Sequence, residues 1–284
     1  MSISQTLSYT DPEGMTSGSR KQLINMTWNA ILTIAGRDVM KFVRDPMRLV
    51  FALILPIILV GGLSGAMQSN LGRAVSYNLV PFTVIGMLAM SLFQSTMSGL
   101  MSLIEDREND FSQELFIAPI SRYAIVFGKI LGESLVALVQ GVVLVIVGVL
   151  LFGVQLSLSA LLLIIPVSLI ICLLGGSFGV LLMSMFSSQR TANQIVPFLM
   201  FPQFFVAGVF MPIRVLPWYL DIIAKITPLR YAVDLVRGIV YAGRPEYAQV
   251  VLLHPLINLA VIIVLFTIFL VSGTILFVRS ERNR

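Results

Sequence analysis

Five long stretches that contain no Asp, Glu, Lys or Arg constrain this chain more than any other feature. A charge-free apolar run of about 20 residues can cross the hydrocarbon core of a bilayer as a helix, which satisfies its own backbone polar groups there. Charged residues make up 12% of the chain, against about 25% in soluble domains. The sequence therefore predicts an all-α membrane protein. The stretches are residues 49–72, 74–104, 134–189, 191–213 and 247–278.

These stretches predict six transmembrane helices, because 134–189 is long enough for two helices with a turn at "GVQLSLS" (153–159). An even number of spans places both termini on one side. Most of the 19 Lys and Arg residues lie on that side, which the positive-inside rule makes cytoplasmic. The first 21 residues contain no apolar run of signal-peptide length, so we expect no cleavage there. The predicted spans are about 48–67, 79–104, 132–153, 160–184, 194–211 and 255–278.

The region before the first span divides into a tail and a helix. Residues 1–20 are rich in Ser, Thr and Gly and lack apolar periodicity, which predicts a disordered cytoplasmic tail. Residues 21–47 carry apolar side chains at spacings of three and four, so we expect an amphipathic helix lying in the membrane interface. An ordinary cytosolic helix is the alternative. The transmembrane domain would then occupy residues 48–284. The apolar positions are Ile24, Trp28, Ile31, Ala35, Val39 and Phe42.

Two glycine clusters lie within predicted spans. The first span carries Gly61, Gly62 and Gly65, and the fourth carries "GGSFG" from Gly175 to Gly179. Glycines four residues apart let helix backbones approach closely in lipid. Each cluster is therefore predicted either to form a packing face or to tolerate local bending of its helix.

The connection between the last two predicted spans, residues 212–254, is too long for a plain loop. Two short amphipathic segments are visible in it, at about 217–226 and 229–241, and a proline opens each one. Both are too short to cross a bilayer. We interpret them as two short re-entrant helices in the last extracellular loop. Arg230 and Arg237 are expected to pair with Asp234 or to reach lipid phosphates.

The residue inventory argues against catalysis by this chain. It has one histidine, His254, and one cysteine, Cys172, so the sequence offers no zinc cluster and no adjacent Cys-His pair. The phosphate-loop pattern GxxxxGK[ST] is missing, since Ile130 follows the "GK" at 128–129. Glu133 is the one ionisable residue inside a predicted span, and we expect it to reach the cytoplasmic interface. We therefore predict no enzyme, no metal site and no bound nucleic acid.

Charge is concentrated in residues 105–129, "EDRENDFSQELFIAPISRYAIVFGK", which we call the coupling segment. Residues 105–117 are predicted to form a short amphipathic helix on the cytoplasmic side, and Pro119 is predicted to end it. A protruding helix of this kind is suited to docking in a groove of a partner protein. A solvated charged loop is the alternative.

The order of residues in the coupling segment resembles the cytoplasmic coupling region of the ABC-2 family of ATP-binding cassette permeases. A second stretch, "TPLRYAVDLVRGI" (227–239), resembles an outer-loop motif of the daunorubicin and multidrug-exporting members. By this resemblance the outer motif comprises Pro228, Tyr231, Asp234 and Arg237. The implied coupling residues are Glu105, Asp106, Arg107, Glu108, Phe111, Glu114, Leu115, Pro119, Ser121 and Arg122, and Gly128 and Lys129 match the family pattern as well.

The resemblance implies the fold and partners of such a permease. Two ATP-hydrolysing subunits would each receive the helix of one permease, and ATP and Mg²⁺ would bind to them, with no cofactor on this chain. The permease would pair with a second copy or a homologue in a bacterial or archaeal cell membrane. Closure of the ATPase subunits on nucleotide would then rock the spans attached to the helix.

The transported substrate is expected to be hydrophobic or amphipathic, such as a drug or lipid, because the spans are rich in Phe and Met. Export of a polysaccharide is the alternative within the family, and a secondary carrier or a membrane sensor is the alternative outside it. Spans one, two and five would line the pathway, although interhelical hydrogen bonding explains their polar residues equally well. The pathway candidates are Gln94, Ser95, Asn193, Gln194, Gln203, Phe204 and Phe205.

Overall fold

The computed structural model describes most of the chain from residue 33 onward and is helical wherever it has regular structure. The described residues are 33, 35–37, 39–42, 44–72, 75–108, 122–186 and 188–282, and they contain no strand. The predicted tail and most of the predicted interfacial helix lie outside them. The described positions from 33 to 44 are helical, and Ala35 and Phe42, two turns apart, are buried.

From residue 46 onward, the described part of the chain forms ten α-helices and one π-helical segment. The π-helical segment, Leu59–Ser64, joins the first two helices and contains Gly61 and Gly62 of the first predicted span, whereas Gly65 begins the next helix. In chain order the helices are α1 (Pro46–Ile58), α2 (Gly65–Leu71), α3 (Leu79–Glu108), α4 (Arg122–Phe152), α5 (Leu158–Met185), α6 (Gln189–Val206), α7 (Trp218–Ile226), α8 (Pro228–Val240), α9 (Tyr247–Val250) and α10 (Pro255–Arg282).

Five helical regions among the described residues are long and apolar enough to cross a membrane. They overlap five of the six predicted spans. The predicted span 194–211 overlaps α6, which contains Pro197, Pro202 and several amide side chains and is not among the five. The six-span topology therefore stays a prediction. The five regions are Leu53–Leu71, Leu79–Met101, Val126–Phe152, Leu158–Met185 and Tyr247–Phe277.

The helices beside the coupling segment extend beyond two predicted spans. Helix α3 continues without a break past residue 104, the predicted end of the second span, to Glu108. Helix α4 begins at Arg122, ten residues before the predicted start of the third span at residue 132. The apolar parts of the two helices, Leu79–Met101 and Val126–Phe152, overlap the predicted spans, so their charged turns lie beyond those parts.

Helix α3 is the centre of the bundle. It is 30 residues long, and 72% of the residues in its most apolar, membrane-spanning part are buried, a larger share than in any of the other four regions. It packs most extensively against α5 and α4 and also contacts α8 and α6. Its side chains Phe82, Phe93 and Leu100 are fully buried.

The glycines of α5 form the closest contact with α3. A Cβ at Gly175 would lie 2.4 Å from the carbonyl oxygen of Phe93, and one at Gly179 would lie 2.8 Å from that of Met97. The two backbones can approach this closely because residues 175 and 179 have no side chain. The predicted packing face on the fourth span is thus confirmed.

The glycines of the first predicted span behave differently. A Cβ at Gly62 or Gly65 would meet no atom within 4 Å, and one at Gly61 would meet only the ring of Phe152 at 3.6 Å. Gly61 and Gly62 lie in the π-helical segment, and π-bulges bend helices. Of the two readings for this cluster, the structure of the single chain favours local bending.

Helices α7 and α8 form a hairpin whose two members have opposite surroundings. In α7, Trp218 and Ile226 are 77% and 71% exposed. In contrast, α8 is buried along almost its whole length against α3, α10 and α5. The structure does not confirm two helices dipping into lipid, because protein encloses the second one.

The Asp234 side chain fixes α8 to the segment that leads into α10. Its Oδ1 accepts a hydrogen bond from the backbone N–H of Leu252 at 2.8 Å. Its Oδ2 accepts one from the N–H of Leu253 at 2.8 Å and one from Asn258 Nδ2 at 2.7 Å. A buried carboxylate is stable only when its oxygens receive such donors, and here three donors converge on it.

The Arg237 side chain fixes the other side of α8 to α3. Its Nη2 donates to the carbonyl oxygens of Gly208 at 2.7 Å, Val209 at 3.2 Å and Phe82 at 3.3 Å. The guanidinium also stacks over the ring of Phe82, 3.5 Å from its centre. The pKa of Arg237 is lowered to about 10, because burial disfavours the charged guanidinium more strongly than the nearby Asp234 carboxylate favours it. The guanidinium therefore remains charged at neutral pH.

The direct contacts of the two outer arginines differ from those expected, although Asp234 lies close enough to act on the charge of Arg237. Arg237 does not reach lipid phosphates, because it is 2% exposed and donates to backbone carbonyls of the protein. Arg230 lies near Asp221, with Nη1 3.7 Å from Oδ1, instead of pairing with Asp234. The helical spacing in α8 suggested Asp234 as the partner, but the donors at residues 252, 253 and 258 occupy that carboxylate.

We predict that Gly175→Ala lowers the free energy of unfolding by about 1–3 kcal/mol, because the new methyl group forces α3 and α5 apart. Gly62→Ala is the matched control, since its Cβ meets nothing, and its effect should stay within about 0.5 kcal/mol. Chemical denaturation in mixed micelles measures both. Equal effects of the two substitutions would contradict the packing described here.

We predict that Arg237→Met lowers the free energy of unfolding by about 3–5 kcal/mol, because it leaves buried carbonyl groups and the Asp234 charge uncompensated. Lys225→Met is the control: it removes an exposed ion pair with Asp221 and should cost at most about 1 kcal/mol. The midpoint of thermal unfolding in detergent reports both. An Arg237→Met protein as stable as the wild type would show that the contacts of Arg237 do not hold α8 to α3.

Candidate functional site

A cavity between α3 and α6 is the main candidate site in the described part of the chain. Its volume is about 400 Å³, and we call it the α3–α6 cavity. Cavities of about 300–1,000 Å³ are typical of small-molecule sites. Its walls combine amide, methionine and aromatic side chains. The lining residues are Gln94, Met97, Ser98 and Met101 of α3 and Gln189, Ala192, Asn193, Val196, Pro197, Met200, Phe201 and Phe204 of α6.

Three of the seven predicted pathway residues line this cavity: Gln94, Asn193 and Phe204. The other four, Ser95, Gln194, Gln203 and Phe205, do not line it. Gln194 is exposed on another side of α6 and Phe205 stacks edge-on against Phe201, while Ser95 is half-buried and Gln203 is buried. No binding role for any of the seven is tested by this geometry.

The methionines that line the cavity are absent from the predicted pathway residues. The sequence nevertheless carries a signal for them, because Gln94, Met97, Ser98 and Met101 recur at spacings of three and one and so share one face of α3. Met200 follows Asn193 by seven residues, which places both on one face of α6. Helical periodicity around the polar candidates could therefore have identified Met97, Met101 and Met200.

Helices α3 and α6 run antiparallel along the cavity. The chain just after α6 lies against the first half of α3. The carbonyl oxygen of Val209 is so close to Gly86 that a Cβ there would lie 2.6 Å from it. The start of α6, with Gln189 and Asn193, therefore lies toward the end of α3 that leads into the coupling segment. The α6 wall of the cavity is polar at that end and becomes apolar toward Met200, Phe201 and Phe204, whereas the α3 wall carries polar and apolar residues at both ends.

A buried ion pair lies close to the coupling segment. Lys129 Nζ is 2.8 Å from Glu133 Oε1 on α4, and both side chains are about 5% exposed. The Glu133 carboxylate fills the space that a side chain at Gly99 of α3 would need, since a Cβ there would lie 2.1 Å from Oε2. The prediction that Glu133 reaches the interface is wrong, because its pairing with Lys129 allows it to remain between α3 and α4.

The implied coupling residues flank the gap between α3 and α4. Glu105, Asp106, Arg107 and Glu108 form the last turn of α3, and Arg122 is the first residue of α4. The expected separate helix therefore does not begin at Glu105. The remaining coupling residues, Phe111, Glu114, Leu115, Pro119 and Ser121, lie outside the described residues.

The outer motif is a packing cluster at the opposite end of α3. Pro228 is the first residue of α8, and the Tyr231 hydroxyl donates to the carbonyl oxygen of Lys225 at 2.7 Å, which closes the turn between α7 and α8. Asp234 and Arg237 hold α8 to α10 and α3 through the hydrogen bonds described above. None of the four residues lines the α3–α6 cavity.

The described residues bring no group of three or more His, Cys, Asp or Glu side chains together in a way that could hold a metal ion. Cys172 is completely buried among apolar side chains in α5. The chemistry of the cavity is therefore that of hydrogen bonds and apolar contacts.

The similar proteins found by comparison are all named as permeases. Transport permeases named ycf38 are 25% identical over 212 residues in Cyanophora paradoxa and 27% identical over 206 residues in Porphyra purpurea. These matches cover 73% and 69% of this chain and 72% and 68% of the two relatives. The multidrug ABC transporter permease YbhR of Escherichia coli is 25% identical over 140 residues, which is 49% of this chain and 38% of YbhR.

The model of one protein family matches residues 29–241 and so includes helices α1 to α8. This range contains the coupling segment, both walls of the α3–α6 cavity and the outer motif. That family is described as the ABC-2 type transporter family, and its members are membrane permeases that normally work with an ATP-binding cassette partner. A match over most of the chain, on a bundle with several membrane-spanning helices, shows that this protein belongs to the ABC-2 type transporter family.

Proposed function

We propose that this chain is the permease subunit of an ATP-driven exporter and forms the pathway for a hydrophobic or amphipathic substrate. A separate ATPase subunit would dock on the coupling segment and supply the energy. The single observation that carries the proposal is the course of α3. This one helix ends in the coupling segment, lines the α3–α6 cavity and begins at the cluster that holds α8.

Movement at the coupling segment can be transmitted along α3 because its neighbours hold it at several levels. Near the segment, the Lys129–Glu133 pair on α4 packs into the space at Gly99. Further along, α5 contacts the α3 backbone through Gly175 and Gly179. A packed helix of this kind moves as a rigid body, so displacement of its cytoplasmic end changes the width of the cavity.

The energy source would be a partner, because the sequence carries no phosphate loop. Two ATPase subunits, each with ATP and Mg²⁺, would serve two permeases, either two copies of this chain or one copy and a homologue. Both termini and the coupling segment would face the cytoplasm of a bacterial or archaeal cell. Residues 21–47 would lie in the membrane interface before a transmembrane domain at 48–284.

The second permease would complete the pathway beside α6. This helix exposes Thr191, Gln194 and other polar groups, and polar side chains within a membrane are stable mainly against protein or water. Facing a second copy across an aqueous pathway would satisfy them. In this arrangement α6 is the missing sixth span, although its prolines and amides reduce its hydropathy.

Purification of the tagged chain from its native membranes in mild detergent tests the proposal. We expect an ATP-hydrolysing subunit to accompany the wild type and to be absent after deletion of residues 106–117. Deletion of residues 2–16, in the predicted tail, is the control and should leave the partner bound. A chain that elutes alone, in conditions under which other cassette transporters stay assembled, would overturn the proposal in favour of a carrier or a sensor.

We predict that the double substitution Arg107→Ala and Glu108→Ala lowers transport at least tenfold while ATP hydrolysis by the complex continues, because both residues lie where α3 enters the coupling segment. A tenfold loss corresponds to about 1.4 kcal/mol of coupling free energy. Transport and ATP hydrolysis are measured together in proteoliposomes. Lys225→Ala, on the exposed face of α7, is the control and should alter neither rate. Normal transport by the double variant would show that these residues are not involved in coupling.

A further inference from the structure

We propose that the α3–α6 cavity selects uncharged amphiphiles, with a hydrogen-bonding head group at Gln189 and Asn193 and an apolar body against Met200, Phe201 and Phe204. This inference rests on the proposed function in that it treats the cavity as the substrate site. It adds the charge and the orientation of the substrate, which membership of the family does not specify.

The lining of the cavity contains no ionisable side chain. Among the described residues that form its walls, the polar ones are Gln94, Ser98, Gln189 and Asn193, and all four are neutral. A charged group placed against such a lining gives up part of its hydration and gains no counter-ion, which is unfavourable. Amide side chains both donate and accept hydrogen bonds, so they suit hydroxyl, ester and amide head groups that do the same.

The order of residues along α6 gives the orientation. Gln189 and Asn193 lie in its first two turns, toward the coupling segment, whereas Met200, Phe201 and Phe204 lie in its last two turns. The α3 wall gives no such order, since each of its ends carries one polar residue and one Met, Ser98 and Met101 nearer the coupling segment and Gln94 and Met97 deeper. The orientation therefore rests on α6, along which an amphiphile would place its head toward the cytoplasmic end and its body deeper between the helices.

The apolar end of the cavity can adapt to bodies of different shape. Met97, Met101 and Met200 contribute flexible thioethers from both walls, and such side chains repack around different partners. Phe201 and Phe204 supply the flat surfaces. A volume of about 400 Å³ lies within the range for one drug-sized molecule. The cavity thus discriminates by charge at one end and tolerates varied apolar shapes at the other.

A fluorescence experiment on the full-length chain tests the selection by charge. The chain has two tryptophans, so the substitutions Trp28→Phe, Trp218→Phe and Phe204→Trp leave one tryptophan, in the cavity wall. The protein is reconstituted in nanodiscs of unbrominated phosphatidylcholine at neutral pH. Three probes with the same brominated alkyl chain are titrated: a monoacylglycerol, an alkyl sulfate and an alkyltrimethylammonium.

We expect the neutral monoacylglycerol to quench saturably and to bind at least tenfold more tightly than either charged probe. The control is a protein whose one tryptophan is Trp218, which is exposed on α7. It reports partition of the probe into the lipid, and its quenching should not saturate. Equal affinities for the three probes, or tighter binding of a charged one, would overturn the proposal. If Phe204→Trp does not fold, Phe201→Trp carries the same test from the same wall.

Substitutions of two asparagines test the position of the head group. Asn193→Leu should weaken binding of the neutral probe about fivefold, the effect of a lost hydrogen bond, whereas Asn70→Leu, on α2 and outside the cavity, should leave it unchanged. Asn193→Asp should strengthen binding of the cationic probe and weaken that of the anionic one. Identical behaviour of the variants at 193 and 70 would place the head group elsewhere and contradict the orientation.

The binding measurements need no ATPase subunit. A failure of charge selection with an intact partner complex would remove this inference and leave the proposed function standing. Conversely, loss of the partner in the purification experiment with normal charge selection here would contradict the proposed function alone.

Discussion

The contact between α3 and α5 is the interaction on which the rest of this bundle depends. Because Gly175 and Gly179 have no side chain, the α5 backbone lies directly against Phe93 and Met97 of α3. Lipid chains are as apolar as the helix surfaces, so association within a bilayer relies on such close packing. The contact holds α3 at the centre, where it meets the cavity on one side and the ion pair of α4 on another.

Each buried charge described here is balanced by groups supplied from a neighbouring part of the chain. Glu133 is held by Lys129 beside Gly99, Asp234 by three donors around the start of α10, and Arg237 by carbonyls just after α6 and within α3. Removing one partner of such a set costs far more than the set contributes to stability. The charges therefore hold α3 to its neighbours at the levels of Phe82 and Gly99, and the α3–α6 cavity is lined by uncharged residues on another side of α3.

The sequence predicted the elements well and their partners poorly. The uncharged stretches located five membrane-spanning regions, and the glycines of α5 were recognised as a packing face because their spacing follows the helical period. Charge marked the predicted span ends at 104 and 132, but the helices themselves extend past these residues to Glu108 and Arg122, and Lys129 compensates Glu133 within the protein. The partners of Arg237 and Asp234 lie 18 to 155 residues away in the chain, and short-range periodicity contains no information on such contacts. The prediction that spans two and five line one pathway did bring Gln94 and Asn193 together, but short-range spacing could not show which other side chains of the two helices face each other.

The width of the α3–α6 cavity in the assembled transporter tests most directly whether α3 transmits the action of an ATPase. Spin labels at Ser98→Cys and Asn193→Cys, in a Cys172→Ala background, report the distance between its two walls. If α3 transmits the action of the ATPase, this distance shifts when the partner binds ATP. The shift disappears with Arg107→Ala and Glu108→Ala although the partner remains bound. A distance that is the same with and without nucleotide, in a complex that hydrolyses ATP and transports its substrate, would contradict the role assigned to α3.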